Sequence, residues 1–246
     1  MSSITYNGLD FDTVGFILSR DSFSQPAEPR FNQYNLTSAN GAILQNTNWA
    51  PQIITVNGVL IGSSYSDKMS KYRQMLGYLY TTSVKSLIFD TEPTIEYLCK
   101  LASAPSITTL SEIAMEVQLE FICPKPGRDV TATTVTGTVG DFVCNCGDSN
   151  FYVYPTIEMT GLTSGVNVTI ETPSTEDILW VIGWPGSVLV VTTEPGNKFL
   201  SSAGMQYQKD GSTYPKLLAF TDDQIIRISV SSGTASTTIT YRNSYL

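Results

Sequence analysis

A mainly β chain of two domains is what the 246 residues specify on first reading, the first domain β-sandwich-like with one α-helix and the second a β-sandwich. Short stretches of strict apolar–polar alternation recur along the chain, a single segment has helical periodicity, and the composition changes abruptly between residues 127 and 150. Serine and threonine together number 57, while charged residues are only 15% of the chain. Hydroxyl groups therefore carry much of the wet surface. With 41% hydrophobic and 11% aromatic residues the chain has ample material for packed cores.

The clearest strand signal is Glu112 to Ile122, where Ile113, Met115, Val117, Leu119 and Phe121 alternate with small or polar residues. A period of two puts one apolar row on a core and one polar row in water. Thr94 to Leu101 is the expected strand before it, with Ile95, Tyr97, Cys99 and Leu101 in phase. Gln52 to Gly62, rich in Ile and Val, and the short Ser86 to Asp90 are two more. Between them Asp67 to Tyr80 predicts a helix: Met69, Tyr72, Leu76, Leu79 and Tyr80 recur at three- and four-residue steps, giving one apolar stripe. Ser66 or Asp67 is its expected N-cap. One helix with strands on either side is expected to cover a face of the sheet and close its core.

Residues 127–150 hold several glycines and five threonines with one aromatic, and they follow two prolines, so they predict a junction between domain 1–126 and domain 151–246. Beyond it short strands recur roughly every 8 to 12 residues, as in all-β sandwiches. These are Tyr152–Thr160, Val166–Glu171, Ile178–Ile182, Val188–Thr192, Gln224–Val230 and Thr237–Arg242. No helical period occurs in this half.

Composition excludes several chemistries. There is no histidine, hence no Ser-His-Asp or Cys-His nucleophile, no His-ligated zinc and no imidazole switch. With 14 basic and 22 acidic residues the net charge is −8, and no Lys/Arg cluster offers a phosphate-neutralising surface for nucleic acid. The N-terminal residues lack the basic and apolar regions of a secretory signal. The longest apolar stretch, Ile178 to Val191, is too short and too broken by glycine and proline to be a membrane helix. Four cysteines do not make a disulfide framework, so the chain is expected to fold in a reducing cytosol and to keep free thiols.

The candidate sites are few. Cys144 and Cys146 form a C-x-C, but only Cys99 and Cys123 remain to complete a metal site, on other elements, so no metal or cofactor is expected. Asp222–Asp223 and the pair Glu116 and Glu120 are the available carboxylates for a glycosidase, yet the first reads as a turn and the second as the solvated face of a strand. No enzyme is expected. Trp180 and Trp184, with Tyr154 and Tyr152 near them, are either sandwich core or a stacking platform for a sugar ring.

The order of segments in the first half carries a resemblance. RFNQYNL at 30–36 is followed by Asn40–Gly41, then IITVNGVLIG at 53–62 and the helix from Met69 to Tyr80. SLIFDTEP at 86–93, IEYLCKL at 95–101 and VQLEFICPKP at 117–126 complete it. This arrangement resembles the distal tail protein (Dit) family of siphophages. The chain end, DQIIRISVSSGTASTTITYRNSYL, is similar to the galectin-like or carbohydrate-module-like sandwich of that family. One departure is the strand holding Gly58, which carries no charge from Ile53 to Ile61 where family patterns often have a basic residue.

The resemblance implies a structural component of the virion, assembled in the host cytoplasm. It would be a homo-hexameric ring, a hub at the phage tail tip or baseplate, made by the N-terminal domain. The ring would join the major tail tube protein above to tail-associated, tape-measure and receptor-binding proteins below, with the C-terminal sandwich as an attachment platform. Sugar binding does not follow from a galectin likeness. The alternatives are a carbohydrate-binding or host-recognition adhesin, for which the tryptophans argue, and an enzyme on a β scaffold, for which nothing does.

Overall fold

The computed structural model describes residues 3–19, 28–35, 42–125, 127–149, 151–194, 199–200, 207–218 and 221–245. They form two compact units, Met1–Arg128 with Leu246, and Asp129–Tyr245.

In the first unit the elements run β1 (Ile4–Tyr6), β2 (Leu9–Asp10), a 3-10 turn (Phe11–Val14), β3 (Phe16–Leu18), β4 (Pro29–Asn35), β5 (Ala42–Trp49) and β6 (Gln52–Ile61). Then come α1 (Tyr65–Leu79), β7 (Lys85–Phe89), β8 (Ile95–Leu101), β9 (Ser106–Thr109) and β10 (Ala114–Cys123). Strand order is β2-β1-β7-β8-β10-β6-β3, with β9 also paired to β10. The two outermost strands, β2 and β3, are joined directly by the 3-10 turn, so the sheet must curl until its limbs face each other. Tyr6 on β1 and Phe121 on β10 accordingly meet across the core, ring centroids 4.9 Å apart. The longest ladder pairs β6 with β10 through ten consecutive residues, from Gln52–Cys123 to Ile61–Ala114. Ile54, Val56, Leu60, Met115, Val117, Leu119 and Phe121 point inward from it and are buried.

The strands expected from alternation are present with shifted ends. β10 starts at Ala114, not Glu112, because residues 110–113 turn, Leu110 and Ser111 both donating their N–H to the Ala114 carbonyl. The helix starts earlier than expected. Its N-cap is Ser64, not Ser66 or Asp67: the Ser64 hydroxyl accepts from Asp67 N (3.1 Å), and Ser63 N donates back to the Asp67 carboxylate (2.7 Å). That reciprocal box satisfies two free donors. It holds the Asp67 carboxyl below the usual carboxylate range, with Lys71 as a second cause. Met75 and Leu79 are buried; Met69, Tyr72 and Leu76 pack at the core's margin, and Tyr80 is exposed as C-cap. Asn40–Gly41, part of the family resemblance, lies outside the described residues.

After β11 (Gly127–Asp129) the second unit contains β12 (Thr133–Thr138), β13 (Gly140–Cys146), β14 (Thr156–Thr160), β15 (Val166–Thr172) and β16 (Asp177–Trp184). It continues with β17 (Val188–Thr192), β18 (Phe199–Leu200), β19 (Thr221–Val230), β20 (Ser236–Tyr241) and β21 (Ser244–Tyr245). Two sheets, β12-β20-β14-β17-β18 and β13-β19-β15-β16, enclose one core. Ile157, Met159, Leu189, Val191 and Ile239 come from the first sheet, and Phe142, Ile170, Leu179, Val181 and Ile226 from the second. The stretch expected as a junction therefore supplies, besides β11, two strands of the sandwich, one to each sheet. Its threonines are β-branched and suit strands, and Phe142, Cys144 and Cys146 keep an inward alternation.

Two glycines of the first unit give opposite expectations. At Gly58 on β6 a Cβ would lie 2.6 Å from the Ile17 carbonyl oxygen and inside the Phe16 ring. Gly58→Ala should cost about 1–3 kcal/mol by overpacking. Gly77, on the exposed side of α1, has nothing within 4 Å of such a Cβ. Gly77→Ala should add about 0.5–1 kcal/mol. Thermal melts of the two variants check this: the midpoint falls for the first and rises for the second.

Candidate functional site

Trp180 and Trp184 have the same parity on β16, so an unbroken strand would present both to one side. It is broken. Val168 faces Val181 but Val166 faces Trp184, and the extra residue is accommodated at Gly183, whose φ is +64°. Trp184 therefore turns inward and is 3% exposed; its Nε1 donates to the Val188 carbonyl (3.1 Å), and its ring meets Tyr207 edge-on. Trp180 remains on the outer face, half-buried, with Lys209 Nζ 5.0 Å from its ring centroid. Tyr154 is half-buried, and burial above all raises its hydroxyl's pKa. The structure thus places the two indoles on opposite faces of one sheet.

The outer face around Trp180 is mixed. Arg227 on β19 donates from Nε and Nη2 to the two oxygens of Asp141 on β13 (2.8 and 3.2 Å), and Glu171 on β15 stands opposite Arg227 on its other side. This pairing holds the Asp141 carboxyl below its ordinary pKa. Val143 and Ile182 are exposed on the same sheet. The free edge of β16 is covered: Lys209 N donates to the Trp180 carbonyl (3.0 Å) and Thr213 N to the Ile178 carbonyl (2.7 Å). Ser212 and Thr213 hydroxyls accept from Trp180 N and Ile178 N. No strand can be added there.

The first unit is more open. β4 and β5 form a two-stranded sheet of their own, paired with no other described strand. A lone hairpin is at best marginal in water, so this one needs a surface to rest on. β9 is exposed along its whole length. Near it Ile61, Tyr65, Ile107, Leu110 and Ile113 are all exposed, Tyr65 by 58% and Leu110 by 55%. These residues gather because Gly62 N donates to the Ile113 carbonyl and because Lys68, itself 1% exposed, ties helix to turn. Its ammonium donates to the Ser111 carbonyl (2.9 Å) and lies 5.2 Å from the Tyr65 ring centroid. Sequence reading missed this corner because its apolar residues belong to four separate elements.

Elsewhere the candidate chemistry is dispersed. Glu116 and Glu120 alternate outward on β10, as their phase requires. Asp222 and Asp223 lie within β19, not before it: Gln224 faces Cys144 and Thr221 faces Cys146, so the two aspartates occupy a bulge, with Asp223 at φ +50°. All four cysteines are buried and free, and burial pushes Cys144 up to about 11 and Cys146 up to about 12. Among the described residues no group of three or more acidic or cysteine side chains is placed to hold a metal ion. No helix there is long and apolar enough to cross a membrane.

Residues 8–123 match the family of phage tail protein RIFT-related domains. No curated protein matches the chain. Among solved structures the Dit protein of phage SPP1, titled a paradigm of the hub adsorption apparatus in phages infecting Gram-positive bacteria, aligns over 100% of both chains, at 15% identity and a TM-score of 0.75. A chain of the phage P2 baseplate in its activated conformation with calcium also aligns over 100% of both chains, at 7% identity and a TM-score of 0.51, and the strontium form matches equally. Residues 8–123 are thus similar to phage tail protein RIFT-related domains, and the chain shares its fold along its whole length with the SPP1 Dit protein.

Proposed function

We propose that this chain is a structural hub of a phage tail tip, a ring of six copies closed by the N-terminal domain, residues 1–126, with the C-terminal sandwich, residues 151–246, projecting as an attachment platform. The tail tube protein docks on one side of the ring, and tail-associated and receptor-binding proteins dock on the other. The observation that carries this reading is the phage tail domain over residues 8–123 within a fold matched along its full length by the SPP1 hub protein. A closed ring needs a heterologous contact, one patch meeting a different patch on the next copy. The β4–β5 hairpin, paired with no other described strand, and the exposed apolar corner at Ile107, Leu110 and Ile113 are two different patches on one domain. Adding one copy's strand to the next copy's edge would satisfy both. Six copies carry 6 × (−8) = −48 charges. If the outward carboxylates of β10 line the bore, DNA passes without adhering.

A saccharide platform is the second reading, and the structure favours it less, because Trp184 fills the core while Lys209 lies over Trp180. Trp184→Ala should cost about 3–5 kcal/mol as a core truncation. Trp180→Ala should leave the thermal midpoint nearly unchanged, and loss of glycan-array binding in that variant alone would restore the adhesin reading.

Negative-stain micrographs and mass photometry of the full chain, alone and mixed with its tail tube protein, should show annular particles of six copies. A molecule that stays monomeric under both conditions overturns the ring. Leu110→Glu, at an exposed position, should shift the mass to monomer while leaving the melt unchanged.

A further inference from the structure

The two limbs of the first unit's curled sheet are β2-β1-β7-β8 and β10-β6-β3, and among the described strands they are joined by ladder pairing only where β8 pairs with β10. That ladder registers just Leu101 with Phe121 and Lys100 with Ile122, against ten pairs between β6 and β10. Extending it by one residue sets Cys99 opposite Cys123. Both side chains are fully buried, and the Cys123 thiol is among the neighbours that raise the Cys99 thiol's pKa. The alternation of the ladder is known from Ala102, whose N–H donates to the Glu120 carbonyl (2.7 Å). Residues 102 and 120 are therefore a hydrogen-bonded pair, 101 and 121 are not, and the same parity makes 99 and 123 a non-hydrogen-bonded pair. Such positions bring the opposed Cα atoms to about 4.5 Å, the near end of the span a disulfide bridges.

We propose that Cys99 and Cys123 are a redox modification site: a latent cross-strand disulfide that staples the two limbs of the sheet at their shortest seam once the protein meets a peroxide-class oxidant. The Cys99 sulfur attacks one oxygen of hydrogen peroxide. The O–O bond breaks, the thiol proton leaves with the departing oxygen as water, and a sulfenic acid remains. The Cys123 sulfur then attacks that sulfur, the S–S bond forms, the S–O bond breaks and a second water leaves. Two thiols are oxidised and one peroxide is reduced to two waters. Burial raises the Cys99 thiol well above its ordinary pKa, and the neighbouring Cys123 thiol adds to this, so thiolate is scarce and closure is slow. A small oxidant is needed, since neither sulfur is reached from solvent. The pair also has no competitor. Cys144 and Cys146 sit two apart on one strand with a register shift between them, side by side and not opposed. The site does not depend on the ring: it belongs to a single copy.

The test uses the full chain, held for hours with dilute hydrogen peroxide, quenched, denatured and titrated for thiols beside an untreated sample. The expected count falls from four to two, the intact mass falls by two hydrogens, and peptide mapping finds the segments holding Cys99 and Cys123 joined. The thermal midpoint of oxidised protein should rise by several degrees and return on reduction. Cys144→Ser/Cys146→Ser should still lose two thiols, whereas Cys99→Ala and Cys123→Ala should form no intramolecular bridge. Four thiols retained, oxygen added to Cys99 without a link, or a bridge that includes Cys144 or Cys146 would each overturn the assignment. The peptide map of the unaltered protein decides it even if a variant fails to fold. Failure leaves the ring reading untouched, because particle size is measured separately.

Discussion

Ten unbroken backbone pairs between β6 and β10 are the constraint on which the N-terminal unit depends. Side chains alternate along both strands, so a slip of one residue would turn Ile54, Val56, Leu60, Val117, Leu119 and Phe121 into water together. Each such side chain contributes about 1.5–3 kcal/mol by burial, so the register is held by the sum of many small terms. Everything else in the unit is placed from that ladder. β3 lies along β6 only because residue 58 has no side chain, which lets the Phe16 ring lie across the strand. α1 can leave directly after β6 because Gly62 gives its backbone room beside Lys68.

The second unit solves the same problem with two sheets and adjusts its surface through irregularities. The bulge at Gly183 moves one indole from the outer face into the core, and the bulge at Asp222–Asp223 lets β19 stay paired with β13 past Cys144. Tyr241 braces that strand, its hydroxyl accepting from Asn145 N (2.9 Å) and donating to the Asn145 carbonyl (3.2 Å). The outcome is a sandwich with one edge, β16, sealed by residues 207–213. In the first unit the β4–β5 hairpin pairs with no other described strand. The two units thus treat their edges differently, one sealing an edge with a loop and the other keeping a separate hairpin.

Legibility in the sequence followed the range of the interaction involved. Strands β6, β8 and β10 and the body of α1 were readable because period two and period 3.6 are local. The threonine run 133–138 and the short strands β1 to β3 were not. Each is too short to show alternation, and each exists because a neighbouring strand offers it backbone partners. The helix is capped two or three residues before the expected position, since Ser63, Ser64 and Ser66 look alike until Asp67 is seen reaching back to Ser63. Trp180 and Trp184 are parted for a similar reason: parity alone would give them a shared face, and a single bulge separates them.

By itself, then, the order of residues determined a β-rich chain of two parts, no histidine chemistry, and a first half patterned like a phage tail domain. These follow from composition and from contacts within a few residues. Only the tertiary structure decided that Trp184 is core, that residues 133–146 are strands of the second sandwich, that five exposed apolar side chains share a corner, and that β8 pairs with β10 beside Cys99 and Cys123. Those depend on pairing between segments far apart in the chain. Which residue ends up opposite which is set there by sheet register, and no short-range pattern carries that information.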